Sequence, residues 1–208
     1  MYSSYKRFGL GNRIYQFKIQ LAEIDPPIWR RFIVPEEYNF WDLHVAIQDA
    51  MGWWDSHLHL FRIRGKHKHS ITEIGIPDED RFEDDPEIIA GWENPIIRYF
   101  NSIGVTAEYL YDFGDHWNHD ILLEGILLKE KGVKYPKCID GARACPPEDC
   151  GGVPGYFNFI EIMLDPSHEE YDDMITWFGG KYDPEFFKPE KIKFDNPKKR
   201  WNKAFSNE

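Results

Sequence analysis

The chain has 208 residues, 42% of them hydrophobic and 16% aromatic, and a formal net charge of −11. That length and aromatic content exclude a disordered polymer and make one domain, 1–208, the expectation. The acidic balance opposes a broad DNA-binding surface, because nucleic-acid affinity comes largely from neutralised phosphates.

Residues Met1–Arg7 are polar and lack the apolar stretch of a signal peptide, and no apolar run is long enough for a bilayer. A protein without a membrane partner, located in the cytoplasm, is expected. Its three cysteines, an odd number, are then reduced thiols and not a disulfide framework.

From Ile14 to Leu21 the pattern alternates, with Tyr15, Phe17, Ile19 and Leu21 on one face, which predicts a half-buried strand. Asp25-Pro26-Pro27 turns the chain, and Ile28–Val34 predicts the returning strand. Asn39 is placed to cap a helix bearing Phe40, Leu43, Ile47 and Met51, which Gly52 ends. His57–Ile63 resumes the alternation as a third strand.

Residues 73–93 carry nine acids against Arg81 alone, and with Pro77 and Pro86 they predict a long exposed loop. Ala107–Phe113 and Trp117–Leu123 predict two strands joined around Gly114-Asp115, the glycine supplying a positive φ. Lys129–Gly155, rich in Pro, Gly and Cys, predicts an irregular excursion. Two helices follow, the first on Tyr156, Phe159, Ile160 and Met163, the second on Tyr171, Met174, Ile175 and Phe178. Ser167–Glu170 predicts a capping box for the second, and Gly179-Gly180 its stop. Together these elements predict an α+β fold: a mixed, mainly antiparallel sheet of β-grasp or roll type, packed against helices, with helices at the C-terminal end. The core spans 13–187. Residues 188–208 form a basic tail of net charge +4 against −15 for the rest, either a short helix or disordered.

Three segments carry candidate chemistry. Cys138, Cys145 and Cys150, with His116 as a fourth ligand, are the donor set of a tetrahedral zinc. Their spacings, C-x6-C and C-x4-C, are not the paired C-x2-C of zinc ribbons, so a folded loop with buried thiols competes with the metal. The segment Asp112–Asp120 offers Asp112, Asp115, His116, His119 and Asp120 at a hairpin tip, the raw material of metal-assisted hydrolysis or of simple turn chemistry. In Trp53–His59, the residues His57 and His59 share one strand face, either as ligands or as bonded core imidazoles. The tail's lysines with Trp201 and Phe205 are the one feature suited to nucleic acid, or to pairing with the acidic loop. GxxxxGK[ST], GxGxxG, HExxH and GxSxG are all absent.

Three stretches together resemble one family: Pro26–Arg31 running to Met51–Trp53 and Ser56–His59; Tyr111–Asp115 with Trp117 and His119; and Cys138–Gly152 with its Cys-Pro-Pro-Glu-Asp-Cys-Gly-Gly run. The chain resembles the plasmid pRiA-type ORF-three-like family, also labelled TnpR, an insertion-element passenger, over about residues 13–205. The resemblance implies an α+β fold and an association with plasmids or mobile elements, and it carries over no catalytic residue. The sequence thus favours a non-enzymatic interaction or accessory module, metal-stabilised if the cysteine loop holds zinc. The alternative is a metal-dependent hydrolase or nuclease using the His and Asp residues of 57–59 and 112–120.

Overall fold

Alternating side chains build the centre of the molecule. In the computed structural model, which describes residues 11–65, 70–77 and 86–205, strand β1 runs Arg13–Leu21 with Tyr15, Phe17, Ile19 and Leu21 all buried. Of the long exposed loop expected over 73–93, residues 78–85 lie outside the described residues, and the flanks correct it: residues 73–75 end the strand Ile71–Gly75, Ile88–Ala90 pairs with it in parallel, and Gly91–Glu93 is a 3-10 turn. Strand β2 (Trp29–Pro35) returns antiparallel, helix α1 (Phe40–Met51) crosses the sheet, and β3 (His59–Arg64), β4 (Ile71–Gly75) and β5 (Ile88–Ala90) follow. Then come β6 (Thr106–Tyr111), β7 (Trp117–Leu128), β8 (Lys137–Ala142), α2 (Gly152–Leu164), α3 (Tyr171–Phe178) and α4 (Pro197–Phe205). The strands form one sheet in the order β5-β4-β3-β6-β7-β1-β2-β8. Only β4 and β5 run parallel. This is a mixed, mostly antiparallel α+β fold, as the patterning implied.

Helix α1 starts as its sequence dictates. The Asn39 side chain accepts from the Asp42 amide at 2.8 Å while the Asp42 carboxylate accepts from the Asn39 amide at 3.2 Å. Gly52 ends it with a φ of 91°, a conformation glycine adopts without a Cβ clash. Nearly every α1 residue is buried, because the helix is covered on two sides. Phe40 packs on Phe61 of β3, and Trp41 meets Trp201 and Phe205 of α4. The basic tail is thus a docked helix, and Arg200 of α4 pairs with Asp49 of α1 at 2.6 Å.

Four other local expectations need correction. Lys137–Ala142, inside the supposed irregular excursion, is the edge strand β8, paired to β2. Its Gly141 sits 2.6–2.7 Å, measured from where a Cβ would be, from Phe187 and the Trp29 carbonyl, so the glycine hides a strand by permitting close packing. Ser167 does not cap α3: its amide and hydroxyl both donate to Asp165 Oδ1, at 2.9 and 2.6 Å, and α3 begins only at Tyr171. In the β6–β7 turn the positive φ angles fall on Asp112 (56°) and His116 (60°), and not on Gly114. Finally, His57 precedes β3 and does not share a strand face with His59. No helix among the described residues is long and apolar enough to cross a membrane.

Candidate metal centre

Three segments distant in sequence meet where β3 starts and β6 ends, at one end of these neighbouring strands. The link from α1 to β3 brings Trp53–Leu58, the turn after β6 brings Asp112, and the loop after β8 brings Cys145–Cys150. Arg30, buried on β2, anchors their surroundings. It donates to the carbonyls of Ala50 (2.9 Å), Trp29 (2.9 Å) and Ala142 (2.8 Å), and its guanidinium lies 4.2 Å over Phe187. The end of α1 and the start of the cysteine loop are thereby tied to one strand.

The α1–β3 link is pinned at successive residues. The Trp54 amide donates to Glu148 at 2.9 Å, and the Ser56 amide donates to the Tyr111 hydroxyl at 2.9 Å. The Tyr111 hydroxyl in turn donates to Glu148. Between them Asp55, at φ 63°, accepts from His44 Nε2 at 2.7 Å. That bond fixes the His44 tautomer, so Nδ1 accepts from Tyr109, whose hydroxyl also receives the Gln48 amide. The opposing turn is held as tightly. Asp112 Oδ1 accepts from the Gly114 amide at 2.9 Å, and the Asp112 amide donates to the Leu58 carbonyl at 3.0 Å. Asp115 Oδ2 accepts from the Gly151 amide, docking the cysteine loop onto the same turn. That docking needs Gly152, at φ 67°, since a Cβ there would fall 2.4 Å from the Asp115 carbonyl oxygen.

The outcome is a cluster of one imidazole and two carboxylates. His57 Nε2 is 3.0 Å from Asp149 Oδ1 and 3.5 Å from Asp112 Oδ2, and the three ligand atoms all lie within 4.8 Å of one another. Neighbouring donors each about 2.1 Å from an ion are about 3.0 Å apart at right angles and about 3.4 Å apart at tetrahedral angles. The spacing therefore suits a small divalent cation. Exposure rises from 10% for the Asp112 side chain through 30% for His57 to 70% for Asp149, so one side of the cluster faces solvent. Asp55, Asp112, His116 and Asp149 are four of the six non-glycine residues with positive φ among the described residues. Each such position costs of order 1 kcal/mol, and such strain tends to gather where a site demands it.

Beside the cluster a cleft of about 650 Å³ opens between the Trp53-Trp54 link, Ala144–Asp149 and the end of α3. Glu148 and Asp149 line it together with Trp177, Phe178, Tyr182 and Phe186. Burial and the adjacent Glu148 carboxylate both push the Tyr111 hydroxyl far above its ordinary range, so it stays a donor to Glu148.

The remaining residues singled out in the sequence fall elsewhere. His59 is buried with its ring stacked on His44, centroids 3.5 Å apart, and desolvation holds it well below the usual imidazole range. His119 is buried over the Tyr109 and Trp117 carbonyls. His116 and Asp120 are exposed, and Asp115 is the loop clamp. Cys138 is buried on β8, its thiol donating to the Arg31 carbonyl at 3.5 Å. Cys145 and Cys150 pack against the core. Among the described residues, the group of His, Cys, Asp and Glu side chains close enough to share an ion is His57, Asp112 and Asp149, and no cysteine belongs to it. Asp149 and Glu148 were missed in the sequence, though they stand between Cys145 and Cys150 in the most distinctive run of the chain.

The comparisons with known proteins agree with this architecture. The pattern of the plasmid pRiA4b ORF-3-like protein family matches residues 13–191. The uncharacterized protein y4hQ of Sinorhizobium fredii (strain NBRC 101917 / NGR234) is 35% identical over 167 residues, which is 80% of this chain and 81% of that protein. Among solved structures, the protein of unknown function MM3350 from Methanosarcina mazei Go1 superposes with a TM-score of 0.78 at 39% identity, covering 88% of this chain and 99% of that one.

Proposed function

The chain belongs to the plasmid pRiA4b ORF-3-like family, and since that membership brings a fold and no reaction, we propose a function from the site: a metal-dependent hydrolase acting on a small molecule held in the cleft. The supporting observation is that His57, Asp112 and Asp149 meet, from three separate segments, at the rim of a cleft of ligand size. Structural cation sites are closed by protein ligands, whereas hydrolytic ones keep positions for water and substrate, and the exposed side of this cluster has that openness. A cation held there supplies Lewis acidity and lowers the pKa of bound water. The protein's own contributions are rigid placement of the three donors and a fixed carboxylate, Glu148, on the cleft wall. With its Oε1 and Oε2 bonded to Tyr111 and to the Trp54 amide, Glu148 is oriented to receive a proton from a group in the cleft.

The test is turnover of phosphomonoester, phosphodiester, carboxylic ester and amide substrates by protein loaded with Mn²⁺, Zn²⁺ or Mg²⁺. Stoichiometric cation binding with turnover abolished in His57→Ala and Asp149→Asn supports the reading. Absence of any cation bound by the wild type sinks it. The exposed aromatic side chains around the same cleft favour a second reading, a non-enzymatic accessory module that uses this surface for a partner. Cation binding without turnover of any substrate class would favour that module.

A further inference from the structure

Exposed aromatic side chains are concentrated around the cleft. Trp54 (84% exposed), Trp177 (50%), Phe186 (45%) and Phe178 (37%) all line it, from three separate segments of the chain. Leaving such rings in water forgoes about 25 cal/mol for every Å² of apolar surface that burial would remove. A cleft that keeps four of them is shaped for something that covers them. Its volume of about 650 Å³ is that of a site for one small ligand. Aromatic walls favour a flat ring, which gains offset or edge-on contacts from several sides at once.

Charges around the cleft are unequally engaged. The lining carboxylates are held in place by neutral donors and keep their charge: Glu148 by Tyr111 and the Trp54 amide, and Asp183 by the Glu185 amide at 3.0 Å, while Asp149 stands beside His57, so an anion is directed away from Glu148 and Asp183. Among the described residues Lys181, which also lines the cleft, has no ion-pair partner. Lys191 and Lys188 stand 5.1 and 5.9 Å over the Phe186 ring at the same wall. The cleft lining therefore pairs aromatic surface and one cation without an ion-pair partner, Lys181, with the candidate cation site at its rim.

We propose that the cleft binds a small aromatic oxyanion, a planar ring carrying a carboxylate or phosphate-type head, with the ring between Trp54, Trp177 and Phe186 and the head directed to the cation held by His57, Asp112 and Asp149. The placement of the head rests on the metal reading given above, and the ring site rests on the aromatic walls alone. The two candidate heads share oxygen-donor chemistry and are separated by the experiment.

Mn²⁺ is first titrated into the full chain calorimetrically, in wild type and in Trp177→Ala. Benzoate and phenylphosphonate are then titrated into the Mn²⁺-loaded protein, beside ring-only phenol and head-only acetate and inorganic phosphate. The expected result is that benzoate or phenylphosphonate binds at least tenfold more tightly than either of its parts. Trp177→Ala and Trp54→Ala should weaken that ligand about tenfold while Mn²⁺ affinity stays within twofold. Whichever aryl anion binds more tightly names the head. Equal affinity for head alone and aryl anion, or variants with unchanged ligand affinity, overturns the proposal while leaving the cation site standing. Failure of Mn²⁺ itself to bind removes the metal reading and the head placement together, and tighter phenol binding by wild type than by Trp177→Ala would then still identify the ring site.

Discussion

Replacing His119 by Gln should remove a defined part of the protein's acid sensitivity. His119 Nδ1 lies 3.0 Å from the Trp117 carbonyl and 3.2 Å from that of Tyr109, so this nitrogen carries the proton and donates to them. Nε2 is buried and has no hydrogen-bond partner. A second proton there would create a charge in an apolar pocket formed partly by the rings of Trp53 and Tyr109, with no acceptor to receive it. Desolvation accordingly lowers the imidazole from 6.5 to about 4. Because the unfolded chain binds this proton more readily, stability is complete above pH 6.5 and is lost as pH falls towards 4. The whole difference is worth about 3 kcal/mol, at about 1.4 kcal/mol for each pH unit separating the two states. By pH 5 about 2 kcal/mol has gone, which lowers a urea midpoint by roughly 0.7–1 M for an m-value of about 2–3 kcal/mol/M. Glu36 and Glu124, both held below their ordinary value of 4.5 by their arginine partners and, for Glu36, backbone amides, lose their contributions only below that pH. Burial raises the Asp49 carboxyl, which therefore contributes to the slope between pH 7.5 and 5, and the comparison of wild type with variant cancels that shared contribution. His59, buried and shifted the same way, keeps part of the slope in the variant. Urea unfolding of wild type and His119→Gln at both pH values checks this. An equal midpoint loss in the two proteins would refute the assignment of a buried, neutral His119.

Other perturbations read the site and its supports. A cation at a hundred times its dissociation constant should add about 2.7 kcal/mol, raising Tm by roughly 5–10 °C for a chain of this size, and the shift should vanish in His57→Ala and in Asp149→Asn; a shift surviving in both rules out that cluster. Gly152→Ala places a methyl 2.4 Å from the Asp115 oxygen at a positive φ, so it should cost about 1–3 kcal/mol in urea unfolding and weaken cation binding, because Asp149 rides on the displaced loop. Trp201→Ala removes contacts at 5.3 Å to Trp41 and 4.8 Å to Trp92, and should destabilise the whole protein by about 2 kcal/mol; no change would mean that α4 is only loosely attached. Burial pushes the Cys150 thiol up to about 12 and Cys145 higher still, so iodoacetamide should modify both slowly in the folded protein and quickly in urea, as followed by mass spectrometry; rapid native labelling would contradict their packing.

Much of the fold was legible because it obeys local rules. The period of two in Ile14–Leu21 fixed which side chains of β1 enter the core, and Asn39 with Asp42 marked the first turn of α1. Strand β8 was illegible for the opposite reason: its side of the sheet is finished by Phe187, some 46 residues away, which demands a glycine at 141 where a strand pattern calls for bulk. The site was half legible. His57 and Asp112 were singled out with neighbours that serve the core, since a histidine bound for a ligand and one bound for burial carry the same letter. His57 stands at a bend two residues ahead of β3, whose first residue is His59, so the strand alternation does not extend back to His57. No periodicity encodes that bend; the tertiary bonds from His44, Tyr111 and Glu148 impose it.

The cysteine loop shows why residue type misdirects when partners are unseen. Three thiols in thirteen residues suggest a soft-metal site, yet a thiol must lose its proton to bind zinc. Desolvation raises all three thiols, and the nearby Arg30 charge offsets this only in part at Cys138 and Cys145. Zinc bound through Cys138, Cys145 and Cys150 with His116 would have to supply that deprotonation, and among the described residues these four are not grouped closely enough to share an ion. The carboxylates of the same loop need no such step. Pro146 is buried and its carbonyl accepts from Trp53 Nε1 at 2.9 Å, so the Pro-Pro step is fastened to the core while Glu148 and Asp149 turn to the cleft. The sulfurs contribute packing, and the acids between them contribute donors. On the proposed reading, the donors of this cluster are one imidazole and two carboxylates, a set for divalent ions that needs no thiolate. Mn²⁺ should therefore bind Cys138→Ala and Cys150→Ala variants that keep the wild-type circular dichroism as tightly as it binds the wild type, whereas loss of binding in such folded variants would return the sulfurs to the centre of the chemistry.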